Sequence, residues 1–420
     1  MATLAKILIV LYCLASLTFF RPFGVELDEI AKVISYGAMM LLFALAVIGR
    51  NKVRPRKQFA APARSLVCFM AISTIMPLFA LVDQTFSQTL IATIPFFSYG
   101  LYLAIREFDI DTKFFYRLVF AIATIATITH IVNHITYPII TFGKIEEEYD
   151  ITRGGLRIQI LGFNYVILAL FISINQWCRS KKVVWWIPIV ILYIVVFSSY
   201  TRQHIAACLI IGIWCMLGQM AFIKKAAILG IAGAALFVII PQIPVFDDMV
   251  ELTIEQYEEN EYSTKENVRI AASRFYGWEG YDSTGNHLFG HGMPSFHSKW
   301  GSSFETWTQM EQIFAYDVGW FGMMWYFGIF TTLSLFVICL QAIFRSGRHS
   351  TSGLNTYFIW LVATGFTCGA VIYPYEIFVT VLAMCILDSG YKTPTPLKKR
   401  REEIEWGDAF NWRKVQHSND

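Results

Sequence analysis

Long apolar runs, cut by short polar loops, recur along the whole chain. A helix gains about 1.5 Å per residue, so crossing about 30 Å of hydrocarbon takes roughly 20 mostly apolar residues. Such runs fall at 3–20, 30–49, 65–82, 88–105, 115–135, 158–177, 183–200, 203–222, 226–241, 317–343, 354–373 and 375–390. The pattern predicts an all-α polytopic membrane protein of about 12 transmembrane helices, with one large loop between spans 9 and 10. The chain then divides into spans 1–9 (1–241), the large loop (242–316), spans 10–12 (317–390) and a basic tail (391–420). Pro77, Pro95 and Pro188 interrupt three of the runs, which membrane helices tolerate where neighbours satisfy the freed backbone groups. The run Lys6 to Phe20 resembles a signal sequence. It lacks a clear small-residue cleavage site and a second span follows at once, so it reads as a retained span.

Charge orients these spans. Arg50, Lys52, Arg54, Arg56 and Lys57 follow span 2, and Arg106, Lys113 and Arg117 follow span 4. Arg179, Lys181 and Lys182 follow span 6, Lys224 and Lys225 follow span 8, and Arg345 and Arg348 follow span 10. Lys398 to Arg401 lie in the tail. Cationic loops stay on the cytoplasmic side, so every even-numbered exit of this expected inner-membrane protein, and both its termini, are placed there. The odd-numbered loops then face the periplasm or cell exterior. Two are substantial, 136–157 and 242–316, the second with about 75 residues, far longer than an ordinary connection. Its acidic stretch, Asp247 to Glu266, carries Met249, Leu252, Glu255, Gln256 and Glu259 at the spacing of a short amphipathic surface helix.

Composition excludes a soluble enzyme. Of 420 residues, 55% are hydrophobic and only 15% charged, against about a quarter charged in soluble domains. The net charge of +3 is not gathered into an aromatic-interleaved basic stripe, so no nucleic-acid partner is expected. The eight cysteines (Cys13, Cys68, Cys178, Cys208, Cys215, Cys339, Cys368 and Cys385) form no CxxC pair and avoid the large loop, which argues against a disulfide framework or a zinc site. His287, His291 and His297 share no ligand spacing, so no metal is expected in the large loop.

Cations are disfavoured on the periplasmic side, so those that occur there need a reason. Arg153 and Arg157 sit in TRGGLRIQ, Arg202 in SSYTRQH, and Arg269 and Arg274 in NVRIAASRF. Each could pair with nearby acids, reach headgroups or cap a helix. As a cluster they would suit phosphate, because guanidinium presents a planar fork of donors and stays charged near lipid. The loop continues as FYGWEGYDSTGNHLFGHGMPSFHSKWGSSFETW, with Tyr276, Trp278, Tyr281, Phe289, Phe296, Trp300 and Trp307. Such rings either stack on sugar C–H faces or pack to fold the loop onto the membrane.

Taken in order, SYTR at the turn between spans 7 and 8, NVRIAASRF, NHLFGHG and YDVGWFGMMWYFG resemble the bacterial O-antigen polymerase and O-antigen ligase superfamily. The resemblance implies about twelve spans and a large periplasmic loop before span 10. It implies an undecaprenyl-pyrophosphate-linked glycan as substrate, gripped at its pyrophosphate by Arg202 and by Arg269 or Arg274, with Arg153 and Arg157 as further candidates. It leaves room for a chain-length regulator as partner and calls for no cofactor. Ligases place a histidine ahead of the Gly-x-x-Gly entering span 10. Here the stretch ETWTQMEQIFAYDVGWFG has none, which favours the polymerase branch. The implied chemistry joins repeat units, with arginines stabilising the leaving pyrophosphate and a carboxylate (Glu305, Glu311 or Asp317) polarising the attacking hydroxyl. Asp317 has the competing role of capping span 10. A transporter or flippase would predict mid-span charge and Gly/Pro-broken helices in matching halves; a sensor would need a cytoplasmic signalling domain.

Overall fold

Helix is the only regular structure among the described residues, as lipid solvation demands: each backbone N–H and C=O must find its partner within its own segment. The computed structural model describes residues 1–17, 28–49, 58–79, 83–108, 110–142, 158–199, 201–217, 267–345, 354–374 and 376–389, with isolated positions between 223 and 230.

Helices α1 (Ala2–Ser16), α2 (Asp28–Ile48) and α3 (Ala60–Ser73) are followed by the single turn α4 (Met76–Phe79). The next stretch is built of α5 (Phe86–Thr93), a 3-10 segment (Ile94–Gly100) and α6 (Leu101–Ile105). Then come α7 (Thr112–Thr136), α8 (Phe163–Ser180), α9 (Trp186–Ser198) and α10 (Arg202–Met216). The large loop contributes α11 (Val268–Arg274), α12 (Thr284–Phe289) and α13 (Lys299–Glu311). The chain closes with α14 (Gly319–Arg345), α15 (Leu354–Thr364) and α16 (Ile377–Ser389). Five stretches are long and apolar enough to cross a bilayer: Ile30–Ile48, Ala60–Leu78, Phe86–Ile105, Thr112–Thr136 and Ala315–Phe344. Helices α1, α10, α15 and Ile377–Asp388, together with Val183–Ser198 around α9, are apolar but shorter. The chain is a helical, membrane-embedded protein. The expected ninth span (226–241), the amphipathic stretch 247–266 and the tail from 391 lie outside the described residues.

Two of the expected proline interruptions are real breaks. Pro77 falls in α4, just past the end of α3, and Pro95 at the entry to the 3-10 segment, where its missing N–H costs least. Pro188 sits harmlessly in the first turn of α9.

Burial separates helices that meet protein from those that meet lipid. Asn164 to Ile174 in α8 and Ile377 to Asp388 in α16 are buried at every position, so both stand inside the bundle. By contrast α9 leaves Ile187, Val190, Ile191 and Ile194 exposed along one stripe while Ile189, Leu192, Val195 and Val196 are buried. At the α16 C-terminal end, Asp388 accepts hydrogen bonds from Tyr102 Oη and from Gln58 N (3.0 Å), and Gln58 Nε2 donates to Gln341 O (3.0 Å).

Candidate functional site

Glycine decides how the large loop seats on the helices. Helix α14 is broken at Gly328, whose φ of 78° and ψ of 168° abandon the helix and release the carbonyls of Trp325 and Tyr326. The loop fills that break. His291 N donates to Trp325 O (2.9 Å), and Gly292 N to Tyr326 O (3.0 Å), which also accepts from Ser73 Oγ (2.8 Å). The approach is so close that a Cβ on Gly290 (φ 81°) would stand 2.6 Å from the Gly328 nitrogen. Gln84 locks the next turn. Its amide nitrogen donates to Thr89 Oγ1 (2.7 Å) and Met293 O (2.9 Å), and its oxygen accepts from Ser295 N (2.7 Å) and Ser298 Oγ (2.8 Å). Most of the loop's aromatics pack. Tyr276 is buried, and the Trp325 ring is stacked between His291 (4.5 Å) and Phe304 (4.6 Å). Trp278 and Phe296 stay exposed.

A second cluster forms where α8 and α10 begin and the turn 365–376 joins α15 to α16. Helix α8 starts after Gly162 (φ 76°), and its first N–H groups have no intrahelical acceptor. Glu376 supplies one, its two oxygens accepting from Phe163 N (3.0 Å) and Asn164 N (2.7 Å). The Asn164 side chain adds a bond to Ala370 O (3.3 Å). Helix α10 begins with Arg202 itself, half-buried, and the adjacent Gln203 donates to Thr367 O (2.9 Å). Gln203 Oε1 is buried with no partner among the described residues. Helix α11, capped by Asn267, presents Arg269 on its exposed side and packs on the 3-10 turn Ala315–Val318. That turn carries Asp317, and its Tyr316 stacks on Tyr373 (5.1 Å, 8°).

Electrostatics tie these pieces together. Burial pushes the Cys368 thiol up to about 11, Arg269 pulls it down and Glu376 pushes it further. Burial also raises the Tyr373 phenol, with Cys368, then Asp317, and lastly Glu376 adding to the shift. Glu376 keeps part of its surface open, yet poor hydration pushes its carboxyl up to about 7 against the pull of its two N–H donors. The turn thus accepts Gln203, the neighbour of Arg202, at Thr367 and feels Arg269 at the adjacent Cys368. Two carboxylates, Asp317 and Glu376, share the neighbourhood.

The other expected residues scatter. Arg274 pairs with Glu279 on its own segment (2.8 Å), both well exposed. Glu305 is half-buried and accepts a long bond from Gln309 Nε2 (3.4 Å); Glu311 is exposed at the end of α13. Arg153 and Arg157 lie outside the described residues. Glu376 and Asn164 escaped the sequence reading. The one signal for Glu376 was an acid inside YPYE at the mouth of an apolar run, where a buried charge demands a partner.

Comparison with known proteins returns no matching family model and no matching curated protein.

Proposed function

We propose that this chain is an inner-membrane glycosyltransferase that polymerises oligosaccharide repeat units carried on undecaprenyl pyrophosphate. The reading is supported by the 365–376 turn, which accepts a bond at Thr367 from Gln203, the neighbour of Arg202, and whose Cys368 and Tyr373 feel Arg269, Asp317 and Glu376. The loop end of the bundle is taken to face the periplasm. A hydroxyl of one repeat unit attacks the anomeric carbon of the other glycan, and the C–O bond to pyrophosphate breaks. The bonding pair leaves on the pyrophosphate oxygens, towards which guanidinium forks are suited to donate. A carboxylate takes the proton of the attacking hydroxyl.

A transporter gains some support from the broken helices α5–α6 and α14. The α14 break, however, is filled by the backbone of the large loop, which bonds the carbonyls it frees.

The test is substitution at constant charge. Arg202→Lys and Arg269→Lys should each cut polymer formation strongly at normal membrane levels, and Ala should lower the rate about 10²–10³-fold. Polymer is read on gels against the amount of protein in the membrane. Normal polymer from both lysine variants would remove the pyrophosphate site.

A further inference from the structure

We infer that Glu376 is the group that accepts the proton of the attacking sugar hydroxyl. The inference rests on the glycosyl-transfer reading above and assigns the one role that reading leaves open among several acids. A proton acceptor must be held in one orientation, keep a lone pair free and sit beside the charge that receives the leaving group. Glu305, on α13, has a flexible amide neighbour as its partner, and Glu311 stands in the open at that helix's end. Glu376 is fixed by two main-chain donors, Phe163 N at 3.0 Å and Asn164 N at 2.7 Å, one to each oxygen. Each oxygen retains a second lone pair. Its carboxylate sits at the N-terminus of an 18-residue helix, which favours the ionised form that accepts a proton. Desolvation opposes this and leaves the group titrating at about 7, where a general base is most effective. The titratable groups that feel Glu376 are Cys368 and Tyr373 on the turn, Tyr165 on α8 and Tyr357 on α15; Arg269 on α11 acts on the same Cys368, and Asp317 ahead of α14 on the same Tyr373.

The proton balance is simple. The hydroxyl O–H breaks as its oxygen bonds the anomeric carbon, the proton moves to a Glu376 oxygen, and the bond to pyrophosphate releases its electron pair to the leaving group. Solvent at the open edge of Glu376 then recovers the proton.

A purely structural Glu376, tying α16 to the first turn of α8, would also matter for folding, so the experiment must separate the two. The full-length protein in proteoliposomes is given lipid-linked oligosaccharide extracted from host cells that lack it, and release of polyprenyl pyrophosphate is followed from pH 5 to 8.5. The unaltered protein should lose rate on the acid side with a single ionisation near 7. Glu376→Gln should lower the rate per folded molecule by about 10²–10⁴, while retention of the labelled donor by the proteoliposomes stays within a few-fold. Formate should restore part of the rate to Glu376→Ala and none to Arg269→Ala. A Glu376→Gln rate within tenfold of the unaltered protein, with the same acid limb, would overturn the assignment and leave Glu376 a helix cap. Should neither variant fold, a flat profile from pH 5 to 8.5 in the unaltered protein would overturn it as well. If the unaltered protein neither retains the donor nor releases pyrophosphate, it is the glycosyl-transfer reading that fails, a result distinct from any of these.

Discussion

Residues 284–298 and 267–279 belong to one polar loop of the sequence, yet they meet the helices in opposite ways. The first segment is held through its main chain: two of its N–H groups bond carbonyls freed by the α14 break, and Gln84 holds three more of its polar atoms. The second touches the bundle along one side and leaves Val268, Arg269 and Ile270 exposed. Main-chain bonding in a buried setting tolerates almost no displacement, whereas an exposed guanidinium can adjust to what it meets. The contrast teaches that NHLFGHG, although richer in histidine and glycine, is the anchor, and that the plainer NVRIAASRF is the segment left open at its start.

That division can be broken most forcefully at the glycines. Gly290→Ala and Gly328→Ala each force a side chain into a positive-φ conformation, a strain of about 1–3 kcal/mol, and push a Cβ into neighbouring backbone. Both should sharply reduce the folded protein recovered from membranes, as read by size-exclusion profile and thermal unfolding in detergent. Normal yield and unaltered melting would mean that the loop is not anchored there. Gln84→Ala should come next, because it leaves Met293 O and Ser295 N buried without partners, a loss of about 2–4 kcal/mol. Melting should fall while activity per folded molecule persists. A variant that melts normally but is inactive would move Gln84 into the site.

His291 gives a smaller, pH-dependent effect. Its ring is buried against Trp325 with Nε2 unpartnered among the described residues, and burial holds its pKa below the ordinary 6.5. The unfolded chain therefore binds a proton that the folded one refuses, and stability falls as pH drops below about 6.5. His291→Phe keeps the stack and should flatten melting temperature between about pH 6.5 and 5. An unchanged acid slope would assign the effect to another group. Arg274→Ala should do least. Its ion pair with Glu279 is exposed on both sides, worth at most ~1 kcal/mol, and polymer output should stay near normal. Loss of polymer would extend the site beyond Arg202 and Arg269.

The sequence made the helices legible because lipid imposes composition on any segment that crosses it. Arg202 and Arg269 stood out for the same reason, since cations are scarce in the odd-numbered loops. Asn164 and Glu376 did not stand out, because what makes them informative is a pairing across 212 residues that no periodicity announces. YPYE reads as the start of an apolar span, and only the position of α16, beginning at Ile377, leaves Glu376 outside the helix. The break in α14 was half-legible. Glycine recurs in YDVGWFGMMWYFG at 319, 322 and 328, and it is Gly328 that releases the carbonyls the loop occupies.

The bond between Glu376 and the start of α8 also sets an order of events during synthesis. The amides of Phe163 and Asn164 enter the membrane with no acceptor, and the carboxylate that satisfies them is made 212 to 213 residues later. Until then α8, buried on every side in the finished bundle, lacks α16 as a neighbour. Residues between 163 and 376 therefore assemble around an unfinished centre, and the first turn of α8 gains its acceptor only when the segment entering α16 arrives. A chain stopped between residues 270 and 375 would carry both arginines and leave the first amides of α8 without their acceptor.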